Sequence, residues 1–383
     1  MGFNPNFDKD HELVRKSVRD FVNKEINPYV DDWEDACIVP LNDLFRKMGR
    51  LGFLGIRYDP AYGGQGLDYW YETVFLEELG YIRAPGLWVA ITVQTNMATP
   101  AIAEFGSEYL KDKYLRGAIS GELVGAIAVT EPNAGSDVAG LQSRAERDGD
   151  FYVLNGSKIY ITNGTQADFY TLLARTRDEP GAHSFSLFVV PADLPGVRVG
   201  RKLEKLGVWC SDTAEIFFDD VCVPAENLIG KEGEGFIYQM KQFQHERFSL
   251  LPPTYISARL VIDMTADYLK QRVAFGKPLI KNQALKHQLV DWLTEIECLR
   301  QLSYEIVRIK TAGRDATREI SMGKLFAGRI FNSIVAGCLR MHGGIGFMKE
   351  TLISRYYRDS IGLSIGGGAD EVMRDVIAKR EGF

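Results

Sequence analysis

The hydrophobic pattern of this chain changes its period twice, and this limits the folds open to it. Residues 1–122 carry apolar side chains at helical spacing, among them Val14, Val18 and Phe21. From 123 to 232 the apolar residues form short runs bounded by turn residues, as strands do. From 233 to 383 the helical spacing returns. This order predicts an α+β chain with an N-terminal helical domain (1–122), a middle β domain (123–232) and a C-terminal helical bundle (233–383).

The middle region contains two Asn-Gly pairs, at 155–156 and 163–164, which lie between the apolar runs 151–154, 158–162 and 169–174. Asn-Gly is the strongest short signal for a β-hairpin turn. Further short runs follow at 184–190 and 214–218. We therefore expect the middle domain to be a small antiparallel β-barrel or sandwich.

The helical regions carry their own start, stop and packing signals. Asn42 or Asp43 is expected to cap a helix, and Pro252-Pro253 is expected to kink one, because proline removes backbone hydrogen bonds. Two apolar stripes predict a C-terminal bundle whose core includes helices of a partner subunit. They consist of Leu285, Leu289, Leu293, Ile296 and Leu299, and of Ile320, Phe326, Ile330, Ile334 and Met341.

Composition narrows the classes of function. The net charge is −6, so no basic surplus favours nucleic-acid binding, and no apolar run approaches the 18 residues of a membrane span. Five scattered cysteines and five unclustered histidines predict reduced, mostly buried thiols and no metal site. The first residues resemble neither a signal nor a transit peptide. This favours a bacterial cytoplasm, with the mitochondrial matrix as the alternative.

Residues 123–130 form a candidate buried strand that ends in Glu131-Pro132-Asn133-Ala134-Gly135-Ser136-Asp137. An ordinary β-turn is the commoner interpretation of such a loop. A strand that ends in this way can also present N–H and O–H donors to a polar ring edge or a phosphate. No G-x-G-x-x-G stands between a strand and a helix, since Gly343-Gly-Ile-Gly346 lies in a helical region. A Rossmann dinucleotide site is therefore not predicted.

The stretch VTEPNAGSD at 129–137 resembles the flavin-binding signature of the acyl-CoA dehydrogenase family, V-T-E-P-x-A-G-S-D. The resemblance runs nearly end to end and implies that family's fold and FAD as the cofactor. It implies cofactor contacts at Ile127, Val129 and Thr130. It also implies that Ser136 reaches the cofactor or the thioester substrate.

Tyr160-Ile-Thr162 resembles the W-I-T of this family, which places an aromatic ring on the flavin face and a threonine at its N5 edge. The resemblance therefore implies that Tyr160 and Thr162 contact the cofactor. Tyrosine replaces the usual tryptophan here. We expect stacking to survive and the flavin potential and spectrum to shift.

Two further segments resemble parts of the family that bind the cofactor of a neighbouring subunit. Arg272, Phe275 and Gln283 match R-x-x-F-G…Q, and an arginine fork suits a pyrophosphate. The segment 340–346 resembles Q-x-x-G-G-x-G, with arginine in place of glutamine. Taken alone, the two segments also suit a solvated helix end and a glycine-terminated helix. The resemblance implies a homotetramer built as a dimer of dimers, with further cofactor contacts at Arg340, Gly343, Gly344, Ala369 and Glu371.

The expected catalytic base departs from the commoner family pattern. Many members carry the glutamate in Y-E-G-T near the C terminus, where this chain has Gly367. Isovaleryl-CoA-type members supply it from a helix, and Glu246 stands before Arg247 as in their E-R pair. The alternative is that Glu246 is one of many surface glutamates. The joint loss at Gly367 and gain at Glu246 favours Glu246 as the base.

The resemblance also implies substrate contacts around that base. The amide of Gly367 would donate to the thioester oxygen, and Arg247 would lie beside the pantetheine arm. Gln244 stands where relatives often have aspartate, so a substrate contact is expected there as well.

The implied activity is the α,β-dehydrogenation of an acyl-CoA to a trans-2-enoyl-CoA, with an electron-transferring flavoprotein as the acceptor. Within the same fold an acyl-CoA oxidase is the closer alternative, and a flavin monooxygenase would need no base. A low-turnover acyl-CoA sensor or scaffold is the alternative from another class. Gly366, Gly367 and Gly368 leave room near the acyl group, which favours a branched or terpenoid-like chain of medium length.

Overall fold

The computed structural model describes residues 6–383 and begins with helices. The third of them starts at Leu41, with Pro40 rather than Asn42 or Asp43 at the cap position. The predicted cap is therefore wrong. The amide of Leu41 donates instead to the side chain of Gln166, 3.1 Å away. The helices of this region are α1 (Lys9–Phe21), α2 (Val30–Ala36), α3 (Leu41–Arg50), α4 (Tyr69–Leu79), α5 (Pro85–Thr92), α6 (Pro100–Phe105), α7 (Glu108–Leu110) and α8 (Arg116–Ser120).

The middle region forms one eight-stranded sheet with the order β6-β7-β3-β2-β4-β5-β8, and β1 pairs with β4. Most pairings are antiparallel, as predicted, but β1 and β2 each run parallel to β4. The strands are β1 (Gly125–Ala128), β2 (Arg144–Asp148), β3 (Phe151–Thr162), β4 (Phe169–Arg175), β5 (Phe185–Pro191), β6 (Val197–Lys202), β7 (Thr213–Pro224) and β8 (Leu228–Ile229).

The first Asn-Gly pair does not form the predicted hairpin. Strand β3 continues through Asn155 and Gly156, and its register against β7 shifts there, as at a β-bulge. Gly156 has φ 148°, and a β-carbon at this position would lie 2.3 Å from Oγ of Ser143. The glycine therefore allows close approach of two strands. The second pair, at Asn163 (φ 63°), does form a turn, but β4 pairs with β1, β2 and β5 rather than with β3.

The C-terminal region is helical, as predicted, and one small hairpin, β9 (Val273–Ala274) with β10 (Lys277–Pro278), interrupts it. Leu250 separates α9 from α10, so that Pro252 and Pro253 lie in the first turn of α10, where fewer amides need acceptors. The helices are α9 (Gly235–Ser249), α10 (Leu251–Gln271), α11 (Gln283–Thr311), α12 (Thr317–His342), α13 (Leu352–Ser360) and α14 (Asp370–Glu381).

One hydrophobic core joins the two helical regions. Phe45 and Trp88 from the first region and Tyr255, Leu299 and Ile334 from the second belong to the same buried cluster. The members of the two predicted stripes are buried or partly buried within this chain's own core. Helix α9 lies against β5 and against the π-helical turn Val93–Ala98. This position carries α9 from the sheet to the bundle.

The remaining sequence expectations concern cysteines, membranes and metals. All five cysteines are free, but of these only Cys210 and Cys338 are buried, so the prediction of mostly buried thiols is wrong. Among residues 6–383, no helix has the length and apolar character needed to cross a membrane. The same residues contain no group of three His, Cys, Asp or Glu side chains suited to a metal ion.

Candidate active site

The loop that follows β1 is fixed to β3 by its backbone. The carbonyl of Thr130 accepts from the amide of Ile159 at 2.9 Å, and Glu131 and Ala134 exchange backbone hydrogen bonds at 2.9 and 3.2 Å. Ile127 lies within β1, paired with Thr171. These bonds bring the predicted cofactor residues Ile127 and Thr130 close to the strand that carries Tyr160 and Thr162.

A buried lysine that the sequence analysis missed hydrogen-bonds to this loop. The ammonium group of Lys158 is fully buried and donates to the carbonyls of Val129 (2.9 Å) and Leu173 (2.8 Å) and to Glu131 (2.8 Å). The Glu131 carboxylate also accepts from the amides of Gln142 and Ser143, at 2.7 and 2.9 Å. A lysine inside a strand gives no sequence signal of this role.

The two members of this ion pair shift in pKa for different reasons. Burial lowers the pKa of Lys158 to about 8, although Glu131 favours its charged form. Burial also opposes the charged form of Glu131, but the nearby ammonium group and the amides lower its pKa on balance. A carboxylate held by this many donors remains ionised at neutral pH, and its role is structural.

Tyr160 presents an aromatic ring at the surface beside this loop. Its backbone has φ 61°, a conformation that is uncommon for a residue with a side chain, and 66% of its surface is exposed. The register of β3 against β7 shifts at this point. Thr162 is partly buried two residues later, and Ser136 is exposed in the loop that follows β1. An accessible flat ring beside hydroxyl groups and strand-end amides fits an isoalloxazine ring.

Glu246 lies on α9 and faces the glycine loop that precedes α14. A β-carbon at Gly367 would lie 3.4 Å from Oε1 of Glu246, and Gly367 has φ 67°. The Glu246 side chain is partly accessible and makes no hydrogen bond or ion pair within residues 6–383. Burial among protein atoms raises the pKa of Glu246 to about 7, while Arg247 and Lys324 oppose this rise. The sequence prediction thus coincides with a carboxyl group suited to proton transfer.

Two cations hold the carbonyl groups of this glycine loop. Arg247 donates through Nε to the carbonyl of Gly367 at 3.2 Å, and the ammonium of Lys324 donates to the carbonyl of Gly368. The amides of Gly367 and Gly368 find no acceptor among the described residues. Unoccupied amides beside a carboxyl group can stabilise negative charge that develops on a carbonyl oxygen.

Gln244 is a further residue that is suited to a ligand contact in this region. Its Oε1 atom is buried and has no hydrogen-bond partner in the described part of the chain. A buried acceptor without a partner costs free energy unless a ligand or water satisfies it. This agrees with the substrate contact that the sequence analysis expects at Gln244.

A second group near the base was not predicted. Nδ1 of His245 lies 3.2 Å from a terminal guanidinium nitrogen of Arg57, and Nε of Arg57 lies 2.7 Å from the Glu72 carboxylate. Burial, and then the charge of Arg57, hold the pKa of His245 well below its usual range. His245 is therefore neutral at physiological pH. These three residues come from separate helices or loops, so no local motif reveals them.

The other predicted cofactor residues lie elsewhere on the chain. Arg272 and Phe275 stand on the β9–β10 hairpin, where Phe275 is completely exposed, and Gln283 opens α11. No hydrogen bond or ion pair within residues 6–383 joins them, or the residues around 340, to the loop after β1. The remaining positions are Arg340 in the last turn of α12, Gly343 and Gly344 after it, Ala369 at the start of α14, and Glu371 paired with Arg374 at 2.9 Å.

Family models match all three regions of the chain. The N-terminal domain of acyl-CoA dehydrogenase matches residues 8–122, the middle domain 126–221 and the C-terminal domain 233–382. The long-chain specific mitochondrial acyl-CoA dehydrogenase of Sus scrofa is 36% identical, covering 99% of this chain and 88% of that protein. An acyl-CoA dehydrogenase of Bacillus subtilis is 37% identical over 97% of each chain.

A solved structure agrees with the sequence comparisons. The crystal structure of acyl-CoA dehydrogenase from Geobacillus kaustophilus superimposes with a TM-score of 0.96 at 38% identity, covering 100% of both chains. The predicted fold and the predicted family are therefore confirmed. The chain belongs to the acyl-CoA dehydrogenase family, whose members are FAD-dependent oxidoreductases that act on the α,β carbon–carbon bond of acyl-CoA thioesters.

Proposed function

We propose that Glu246 is the catalytic base with which this acyl-CoA dehydrogenase forms a trans-2-enoyl-CoA. The single observation that carries the proposal is the position of Glu246: its Oε1 lies 3.4 Å from where a β-carbon of Gly367 would stand, and its carboxyl group has no hydrogen-bond partner within residues 6–383. Burial also raises the pKa of this group to about 7. Such a carboxyl group is ionised over much of the neutral range and is basic enough to accept a proton. Catalytic bases commonly have a pKa perturbed in this direction.

The remaining residues support the same reaction from two sides. Glu246 takes the proton from the α-carbon of the thioester. Bound FAD would supply the acceptor for the hydride that leaves the β-carbon. The amide of Gly367 donates to the thioester oxygen and stabilises the negative charge that forms there. Arg247 donates to the carbonyl of Gly367 and so fixes the peptide group that follows this amide. Gln244 offers a buried acceptor to the pantetheine arm.

For the flavin itself, we propose the contacts that the sequence motifs imply. Tyr160 stacks on the ring face, and Thr162 and Thr130 donate to its polar edge. Ile127, Val129 and Ser136 supply the remaining flavin contacts of this group. This part of the chain fits a flavin because its exposed aromatic ring and hydroxyl groups lie beside a loop that β3 fixes.

The assembly we propose is a homotetramer, a dimer of dimers that reduces an electron-transferring flavoprotein. The second subunit would bring Arg272, Phe275 and Gln283 to the cofactor, and the segments at 340–344 and 369–371 would add to this. Large apolar side chains that are exposed on the single chain, Phe275, Ile345, Phe347 and Met348, support burial in an interface. Light scattering of the purified protein should give four times the 43.0 kDa chain mass.

For the acyl group we propose a branched or terpenoid-like chain of medium length. The glycines at 366–368 add no side-chain volume beside Glu246, which supports a bulky group there. The compartment stays a prediction, either a bacterial cytoplasm or the mitochondrial matrix.

Anaerobic titration with a panel of acyl-CoAs tests the reaction. The native protein should lose its flavin absorbance, and the acyl-CoA that reduces it fastest identifies the chain class. Glu246→Gln should bind the same acyl-CoA and reduce the flavin about 10³-fold more slowly, since general bases contribute about 10²- to 10⁴-fold. Glu305→Gln, at an exposed carboxylate that is paired with Arg308 at 3.0 Å, is the matched control and should behave as native.

The outcomes also separate the alternatives. Rapid reoxidation of the reduced protein by oxygen would identify an acyl-CoA oxidase instead. Tight binding of every acyl-CoA without any bleaching of the native protein would identify a sensor. Native-rate bleaching by Glu246→Gln would show that another group is the base.

A further inference from the structure

A buried lysine on α12 has no role in the mechanism described so far. Lys324 is completely buried, and its helix neighbours Ile320 and Ala327 are buried as well. Its ammonium group donates to the carbonyl of Gly368, and it lies 3.9 Å from a carboxylate oxygen of Asp370. A buried ammonium group is costly unless it is paired, and an apolar side chain would fill the same space at lower cost.

The groups around Lys324 come from two other helices. Asp370 and Glu371 on α14, and Glu246 and Arg247 on α9, contribute to the electrostatic field at its ammonium group. Burial lowers the pKa of Lys324 to about 8, and the carboxylates partly offset this. The lysine is therefore charged at neutral pH, where Glu246, with a pKa of about 7, gains or loses its proton. Within residues 6–383, Arg247 and Lys324 are the cations that favour the ionised form of Glu246.

The hydrogen bond to Gly368 acts on the same loop. The carbonyls of Gly367 and Gly368 are each held by a cation, one from α9 and one from α12. Both glycines have positive φ, 67° and 100°, so this loop has a backbone conformation that few other residues adopt. The carbonyl of Gly367 shares its peptide plane with the amide of Gly368, and the carbonyl of Gly368 shares its plane with the amide of Ala369. The two contacts therefore fix the directions of these two amides.

We propose that Lys324 is a positioning residue for proton transfer, which holds the glycine loop through Gly368 and favours the ionised form of Glu246. This inference rests on the proposed role of Glu246 as the base. A nearby positive charge stabilises a carboxylate, so loss of the charge raises the pKa of that carboxylate. The base is then protonated up to a higher pH. The rate should fall most at neutral pH and recover in alkaline solution.

The test is the pH profile of anaerobic flavin reduction by the best acyl-CoA, measured from pH 5.5 to 9.5. In Lys324→Met the apparent pKa of the rate should rise by about one pH unit, the lower end of the effect of an adjacent opposite charge. Lys324→Gln removes the charge but keeps a donor for Gly368, and should show the same rise with a smaller loss of the limiting rate. Lys324→Arg keeps the charge and should retain the native pKa.

Lys310→Met is the matched control. Lys310 is also a buried lysine with a pKa lowered to about 8, but it faces Arg57, Glu72 and Glu104 instead of Glu246. Its replacement should leave the apparent pKa at the native value. Flavin content and thermal unfolding midpoints identify any variant that does not fold.

Three results would contradict the proposal. Native pH profiles in both Lys324→Met and Lys324→Gln would remove the lysine from proton transfer. A loss of rate by the same factor at every pH would leave only a structural role. An equal shift in Lys310→Met would show that the effect is not local. Glu246→Gln is measured before the lysine variants. If it reduces its flavin at the native rate, the assignment of Glu246 as the base fails.

Discussion

Two buried regions of this molecule each contain a glutamate near a lysine, and they are organised in opposite ways. Glu131, in the loop that follows β1, accepts hydrogen bonds from Lys158 and two amides. The carboxylate of Glu246, on α9, accepts none from residues 6–383. The pKa of Glu131 is lowered on balance, whereas burial raises the pKa of Glu246 to about 7.

The difference teaches how to distinguish a structural carboxylate from a catalytic one. A carboxylate whose oxygens accept several hydrogen bonds is held in its ionised form and fixes the chain around it. A carboxylate that is desolvated and lacks donors is less stable when it is ionised, and that lost stability is what makes it a stronger base. The cation near it, Lys324, hydrogen-bonds to Gly368 rather than to the carboxylate.

The largest expected effect on stability is at the paired site. Glu131→Gln should lower the free energy of unfolding by about 3 to 5 kcal/mol, because it leaves the Lys158 ammonium buried without its carboxylate. Urea unfolding of the flavin-free protein, at one fixed protein concentration, measures this. Adding Lys158→Met to the same variant should restore part of the loss. Equal stability of Glu131→Gln and native protein would remove the contrast between the two sites.

Neutralising the unpaired site should have the opposite sign. Glu246→Gln should raise the free energy of unfolding by about 2 kcal/mol at pH 8, because the folded state no longer contains an ionised, desolvated carboxylate. The folded pKa, about 7, lies above the ordinary value of 4.5, so the native protein loses stability as pH rises between these values. The gain in Glu246→Gln is therefore complete above pH 7 and absent below pH 4.5.

Unfolding curves of the native and variant proteins between pH 4 and 8 measure this dependence. Glu371→Gln is the control, since that carboxylate is exposed and paired with Arg374. A stability difference between native protein and Glu246→Gln that does not change with pH would contradict the raised pKa.

The smallest expected effect concerns the glycine loop between α13 and α14. Gly367→Ala should lower the free energy of unfolding by about 1 to 2 kcal/mol, the cost of a left-handed backbone for a residue with a β-carbon. That carbon would also lie 2.9 Å from Cδ1 of Leu250, which must move. Gly362→Ala is the control, because nothing lies within 4 Å of its added carbon. Similar losses in both variants would show that the geometry at 367 is not special.

The residues proposed for the flavin carry a clearer sequence signal than those proposed around the base. The loop at 129–137 and the Tyr160 strand are continuous stretches, so their residue order carries the signal. The change of hydrophobic period likewise predicts the three regions, because each element must bury one face. The Asn155-Gly156 hairpin fails for a tertiary reason. Glycine serves there to let Ser143 approach β3, a contact that local sequence does not encode.

The base side depends on residues that are distant in sequence. Glu246 and Gly367 could be predicted together only because a family pattern relates the two positions. Lys324, Arg57 and Lys158 escaped because single charged residues in helices and strands most often lie at the surface. Their contacts, to the carbonyls of Leu173 and Gly368 and to the Glu72 carboxylate, form only when segments that are distant in sequence pack together.

The most direct test of the central claim is exchange of the α-hydrogens of a bound thioester with D2O. A 3-thia-acyl-CoA suits this measurement, because sulfur at the β-position leaves no hydride to transfer and isolates the proton step. Mass spectrometry of the recovered thioester should show rapid α-deuteration with the native protein and with Glu305→Gln, and at least about 10²-fold slower deuteration with Glu246→Gln. Deuteration by Glu246→Gln at the native rate would contradict the assignment of Glu246 as the base.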